Sequence, residues 1–60
     1  MEIKYVNDFN GKELTIRKIE DGYVYYTVIA KGGDWFMANK PQLEFEIMLK
    51  STSCGKWIKI

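Results

Sequence analysis

The residues of this sequence with the most reactive side chains do not form a catalytic set. Cys54 stands beside Gly55 and Lys56, and a neighbouring cation favours the reactive thiolate form of a cysteine. The chain has no histidine, however, so this thiol lacks the commonest general base near neutral pH. Glu44 and Glu46 lie two residues apart, which is typical of a solvated strand surface. The sequence therefore predicts a protein without enzyme activity.

The same counts argue against a bound metal or cofactor. With one cysteine and no histidine, the chain offers no protein-only zinc site and no internal disulfide. Its glycine pairs lack the GxxxxGK[ST] spacing of a phosphate-binding loop. We therefore expect neither a metal nor a cofactor.

Aromatic side chains are the feature that bears most directly on binding. They make up 15% of the chain, and surfaces enriched in Trp, Tyr, Met and Arg are typical of protein interfaces. We predict a binding surface on one face of a β-sheet, formed by Thr15, Arg17, Val24, Tyr26, Val28, Trp35 and Met37. This surface would make the chain an adaptor-type or inhibitor-type module that binds a protein partner or its own copy. A structural alternative is that the twisted sheet curls until the ends of the chain partly cover this face.

The alternative function is that of a small nucleic-acid-binding β-barrel. In such proteins exposed aromatic rings stack on bases, and Arg or Lys side chains follow the phosphate backbone. Nine basic and eight acidic residues give a net charge of +1, so no strong field attracts a polyanion or an anionic membrane. The charge balance therefore favours a protein partner and argues against a membrane.

Length and composition indicate one small folded domain over residues 1–60. The chain is 47% hydrophobic, which is too rich in apolar side chains for a disordered segment. No stretch approaches the roughly 20 apolar residues of a membrane span. A lone cysteine is typical of a reducing compartment, so we expect a soluble, cytoplasmic protein.

Turn dipeptides predict the strands that must position these residues. Three glycine-containing pairs recur every eleven residues and suit two-residue hairpin loops: Asn10-Gly11, Asp21-Gly22 and Gly32-Gly33. Between and around them the sequence predicts a four-stranded meander over residues 2–9, 12–20, 23–31 and 34–38.

Two-residue loops would set the register and so assign every side chain to a face. Phe9 would face Lys12, Glu20 would face Tyr23, and Lys31 would face Asp34. The predicted core face carries Ile3, Tyr5, Phe9, Leu14, Ile16, Tyr23, Tyr25, Ile29, Phe36 and Ala38. The opposite face carries the predicted binding surface, together with Val6, Ile19 and Ala30.

The last third of the chain allows two architectures. After the break at Pro41, residues 42–50 alternate apolar and polar, which predicts a strand; the alternative is a helix begun by a capping box from Asn39 to Gln42. Residues 51–55 read as a loop and residues 56–60 as a final strand. We therefore predict an all-β fold, in which a small antiparallel meander closes into a five- or six-stranded barrel or two-layer sandwich of SH3-like or OB-like size. The alternative is an α+β fold with residues 40–50 as a helix packed on a four-stranded sheet.

Overall fold

A computed structural model describes residues 2–51 and 55–60 of the chain. Within these residues the chain forms β1 (Ile3–Asn7), β2 (Glu13–Glu20), β3 (Tyr23–Ile29), β4 (Trp35–Pro41), α1 (Gln42–Lys50) and β5 (Trp57–Lys59). The strands form one antiparallel sheet in the order β4-β3-β2-β1-β5. The predicted antiparallel meander is confirmed. The sheet stays open rather than closing into a barrel, and its one short helix brings it close to the alternative architecture.

The central hairpin is the predicted two-residue turn. Asp21 and Gly22 have φ angles of 53° and 78°, which are the positive values that such a turn requires. Glu20 pairs with Tyr23 across it, as expected. Aromatic and β-branched side chains fill β3, and these residue types favour strands.

The two outer hairpins have longer loops than predicted. The backbone N–H of Asn7 donates to Lys12 O over 2.8 Å and closes a four-residue loop, inside which Asn7 Oδ1 accepts the N–H groups of Phe9 and Asn10. The N–H of Ala30 donates to Asp34 O over 2.6 Å, so that loop has three residues, with Gly33 at a φ of 99°. The predicted pairs Phe9 with Lys12 and Lys31 with Asp34 are therefore wrong.

A β-bulge at Arg17 changes which residues of β2 and β3 share a face. Lys18 pairs with Tyr25, but on the other side of the bulge Ile16 pairs with Tyr26. The extra residue shifts the remaining register by one position, and such a shift moves every side chain of the partner strand to the other face relative to β2. Leu14 consequently lies opposite Val28.

The core therefore differs from the predicted one. Its buried residues are Leu14, Ile16, Val24, Tyr26, Val28 and Phe45, and Ile3, Tyr5, Ala38, Met48, Leu49 and Trp57 pack against them. The assignment of Val24, Tyr26 and Val28 to the face opposite the core is wrong, because the bulge turns them toward Leu14 and Ile16. Ile19 also lies on this side, where it lines a cavity of about 170 Å³ below the helix. Four residues predicted for the core are exposed instead: Phe9, Tyr23, Ile29 and Phe36.

Residues 42–50 form a helix, so the prediction of a strand there is wrong. Pro41 ends β4 and occupies the N-cap position without a side-chain hydrogen bond, so the capping box considered with the helix alternative does not form. Phe45, Met48 and Leu49 follow the i, i+3, i+4 spacing of a helix face and pack on the sheet. The Phe45 and Tyr26 ring centroids lie 5.2 Å apart. The apparent period of two came from Leu43 and Ile47, which are exposed.

The end of the chain is fixed to the first hairpin. Asp8 accepts the N–H of Lys56 at Oδ1 over 2.7 Å, and its own N–H donates to Lys56 O over 3.0 Å. At Gly55 an added Cβ would lie 2.5 Å from Asn7 Oδ1 and from Phe9 Cβ, so only glycine fits. The predicted final strand is confirmed as β5, which pairs with β1. No helix among the described residues is long and apolar enough to cross a bilayer.

Candidate functional site

One face of the sheet carries α1, and the opposite face carries no element of the described chain. We call this second surface the open face. Because side chains alternate along each strand, the register places on it Thr15, Arg17, Tyr25, Thr27, Ile29, Trp35 and Met37. Cross-strand pairing aligns these residues in rows: Trp35 lies beside Ile29, and Met37 lies beside Thr27, which in turn faces Thr15.

Apolar exposure on this face is concentrated on the edge strand β4. Trp35 is 63% exposed and Met37 is 73% exposed. Between them Phe36, whose side chain points to the helix side, is 53% exposed. Three consecutive large apolar side chains are therefore in contact with water at one edge of the sheet.

The bulge in β2 places a guanidinium group in the middle of the open face. Arg17 Nε donates to Thr27 Oγ1 over 3.2 Å, and Arg17 Nη1 donates to Glu2 Oε2 over 2.6 Å. Two partners, one in β3 and one just before β1, fix the direction of a side chain that is itself half exposed. Thr15 and Thr27 are buried below it and form a flat floor.

Two shallow depressions flank this arginine. One has a volume of about 420 Å³ and is lined by Arg17, Lys18, Tyr25, Tyr26, Thr27, Met37, Ala38 and Asn39. The other has a volume of about 390 Å³ and is lined by Arg17, Thr27, Ile29, Trp35 and Met37. Arg17, Thr27 and Met37 border both depressions. The two depressions therefore lie side by side, and a protruding side chain of a partner could enter each of them.

The charges of the open face largely compensate one another. Lys18 Nζ lies 4.8 Å from the centroid of the Tyr25 ring and 3.5 Å from Glu20 Oε1. The Arg17 charge is paired with Glu2. Exposed pairs of this kind contribute only about 0.2–1 kcal/mol each, so they orient side chains more than they stabilise the fold.

Of the seven predicted binding residues, the structure brings four together on the open face. Thr15, Arg17, Trp35 and Met37 lie there. The other three, Val24, Tyr26 and Val28, lie in the core under α1. Burial raises the pKa of the Tyr26 phenol above its ordinary value of 10.0, since the charged form would lose its hydration.

Sequence reasoning missed Tyr25 and Ile29, which it had placed in the core. A signal for the correct face was present in β3. One face of β3 carries only large apolar side chains, Val24, Tyr26 and Val28. The other face contains the polar residue Thr27. The face without a polar residue is the better candidate for burial.

Metal ligands, Cys54 and comparisons with known proteins give no further indication of a function. Among residues 2–51 and 55–60 no three His, Cys, Asp or Glu side chains are grouped as metal ligands, and Cys54 lies outside the described residues. The prediction that the chain is not an enzyme stays a prediction. Comparisons of the chain with protein-family models, with curated proteins and with solved structures gave no match.

Proposed function

We propose that the chain is a non-catalytic protein-interaction module that binds its partner through the open face and the adjoining edge strand β4. One observation carries the proposal: Trp35 and Met37 are mostly exposed on the face of the sheet that α1 leaves uncovered. Large apolar side chains in contact with each other and with water are typical of a surface that is covered in a complex.

The arrangement fits the anatomy of a protein interface. Trp, Tyr, Met and Arg are the residue types enriched there, and Trp35, Tyr25, Met37 and Arg17 lie together on this face. The bulge and the Thr27 hydroxyl hold Arg17 in place before binding, so less side-chain freedom is lost on association. Trp35 is the expected anchor because tryptophan dominates the energy of many interfaces.

The alternative function, nucleic-acid binding, has weaker support. Arg17 and Lys18, two of the cations of the open face, are each paired with a carboxylate, which competes with a phosphate for the same charge. The net charge of +1 adds no field that would attract a polyanion. Tyr25 and Trp35 could stack on bases, but the cations that border the two depressions with them, Arg17 and Lys18, are the ones already paired.

The proposal is tested by comparing two alanine variants with the wild type. Trp35→Ala removes the expected anchor, whereas Phe9→Ala removes a ring in the β1–β2 loop that is even more exposed. Proteins captured by the immobilised wild type are identified, purified and titrated against all three chains. We expect Trp35→Ala to weaken binding by about 2 kcal/mol or more, and Phe9→Ala to leave the affinity unchanged.

Two results would contradict the proposal. One is a purified partner whose affinity is the same for the wild type and for Trp35→Ala. The other is tight binding of a single-stranded oligonucleotide that falls steeply with salt and is lost in Arg17→Glu, because this behaviour indicates phosphate contacts.

A further inference from the structure

We propose that the partner of strand β4 is a second copy of the chain, and that two β4 strands pair antiparallel about a twofold axis at Met37. This inference rests on the proposed function, since it names the occupant of the β4 edge of that surface. In the resulting dimer the two sheets form one continuous sheet, and the exposed Trp35 and Met37 side chains lie at the junction.

The backbone of β4 provides the hydrogen-bonding groups for such pairing. Successive residues of an antiparallel strand direct their N–H and C=O groups to alternate edges. The carbonyl of Asp34 accepts the N–H of Ala30, and the register between β3 and β4 is unbroken. The even-numbered residues of β4 therefore direct their backbone N–H and C=O groups to β3. Trp35, Met37 and Asn39 therefore direct their backbone groups to the open edge of the sheet.

Pro41 marks the end of this edge. It has an odd position, so its missing N–H falls on the open side, where a proline is tolerated in an edge strand. The free donors are thus confined to a short segment between the Lys31–Gly33 loop and the helix. The β4 strand of a second copy has the same length and the same twist, so it can pair along this whole segment.

Charge decides which register two copies adopt. With the axis at Met37, Met37 faces its own counterpart, Trp35 faces Asn39, and Asp34 faces Lys40 of the second copy. The twofold axis generates the Asp34–Lys40 pair twice. These two residues occupy pairs without mutual backbone hydrogen bonds, in which facing side chains lie closest.

The neighbouring registers lack this match. An axis at Phe36 places Asp34 opposite Ala38 and Lys40 opposite Gly32, so neither charge has a partner. An axis at Ala38 places Trp35 opposite Pro41, which cannot donate the required hydrogen bond. The register at Met37 is the one of the three that pairs both charges and keeps proline out of the ladder.

The opposite edge of the sheet offers a poorer site for a second copy. There β5 has three residues, Trp57–Lys59, against the seven of β4. Short strands and lysine side chains are common means of preventing edge pairing. The structure therefore directs self-association to β4.

Charge variants test the pairing in the full chain. Asp34→Lys and Lys40→Asp each place like charges opposite one another, and sedimentation equilibrium should show a dimer dissociation constant at least about tenfold higher than that of the wild type. Combining both substitutions in one chain should restore the dimer. Mixing the two single variants should give a heterodimer, because the lysines of one chain then face the aspartates of the other. Glu46→Lys, which makes the same change of charge as Asp34→Lys at an exposed residue of α1, is the control and should leave the dimer unchanged.

The outcomes separate this inference from the proposed function. A wild-type chain that is monomeric at all concentrations, or a dimer insensitive to Asp34→Lys, overturns pairing at this register. If such a monomer still binds another protein through Trp35, the proposed function stands. A dimer that shows the charge pattern but is indifferent to Trp35→Ala and Met37→Ala would instead overturn the role of the open face. Circular dichroism of each variant establishes that the compared chains are folded.

Discussion

Two neighbouring strands, β3 and β4, have the same length and both carry large apolar side chains, yet these side chains differ greatly in exposure. Each has seven residues, and they pair along their full length. Val28 is 5% exposed, whereas its cross-strand partner Phe36 is 53% exposed. Residue type at a single position therefore does not separate a buried strand from an exposed strand in this chain.

Position in the sheet makes the difference. β3 lies between β2 and β4 and is covered on one face by α1, so its apolar side chains are shielded by neighbours within the chain. β4 has a neighbour on one side only. Burial of β3 stabilises the monomer, and under the proposed function another molecule buries β4. The following expectations test this division, starting with the largest effect.

The largest effect is expected from removing the ring that covers β3. Phe45→Ala should lower the free energy of unfolding by about 3–5 kcal/mol, since it deletes a buried aromatic side chain. A chain of this length has a total stability of about 3–9 kcal/mol, so the variant should be largely unfolded or close to it. Urea denaturation followed by Trp fluorescence measures the change.

Leu43→Ala is the matched control for this variant. It shortens an exposed apolar side chain on the same helix, so the free energy of unfolding should change by less than about 0.5 kcal/mol. Similar losses for the two variants would show that α1 does not cover β3 in the manner described.

A smaller loss is expected at the turn that joins β2 to β3. Gly22→Val forces a β-branched residue to a φ of 78° and should cost about 1–3 kcal/mol. Gly32→Val is its control, because Gly32 has no positive φ and no atom lies within 4 Å of an added Cβ. Equal denaturation midpoints would exclude the proposed turn at Asp21 and Gly22.

Alkaline pH should lower the free energy of unfolding through the Tyr26 phenol, which lies in β3. Its pKa is raised by burial in the folded state, so between the ordinary value of 10.0 and this raised value the folded chain holds a proton that the unfolded chain has lost. Stability contributed by this group is therefore complete below pH 10 and declines as the pH rises further. Tyr26→Phe should show a shallower loss of stability above pH 10 than the wild type. Parallel curves for the two chains would refute the burial of this hydroxyl group.

The smallest effect concerns the ion pair of the open face. Glu2→Gln should change the free energy of unfolding by at most about 1 kcal/mol, because both side chains are half exposed. The difference from the wild type should shrink further as salt is added. A much larger loss of stability, or one that salt does not reduce, would show that the ion pair between Glu2 and Arg17 is stronger than an exposed pair.

The sequence was sufficient to predict the meander and its central turn. The hairpin at Asp21 and Gly22 follows from local backbone preference, which acts over few residues and is visible in the sequence. The faces of β3 could not be predicted in this way, because the bulge at Arg17 depends on packing between strands. The bulge places Val24 and Tyr26 on the face of Leu14 rather than that of Thr15. The third residue of the loop at 31–33 shifts β4 by one position and so separates them from Trp35.

The helix shows a second limit of sequence reasoning. Alternation of Leu43, Phe45, Ile47 and Leu49 fits a strand, but only Phe45 is fully buried, with Leu49 partly buried beside it. Pro41 has no backbone N–H to donate to a neighbouring strand, so it favours the end of β4. The Leu, Glu and Met residues that follow favour a helix. The exposed Leu43 and Ile47 therefore complete an apolar alternation typical of a strand, although neither residue packs in the core.

The central claim is that β3 belongs to the core and β4 to an interface, and paired truncations of Tyr26 and Trp35 test it most directly. For Tyr26→Ala we expect a loss of about 3–5 kcal/mol in the free energy of unfolding. For Trp35→Ala we expect a loss within about 1 kcal/mol and an association weakened by about 2 kcal/mol or more. Chemical denaturation and sedimentation of both chains under one set of conditions provide these numbers. If Trp35→Ala destabilises the fold as much as Tyr26→Ala and leaves association unchanged, β4 is part of the monomer core and the account is wrong.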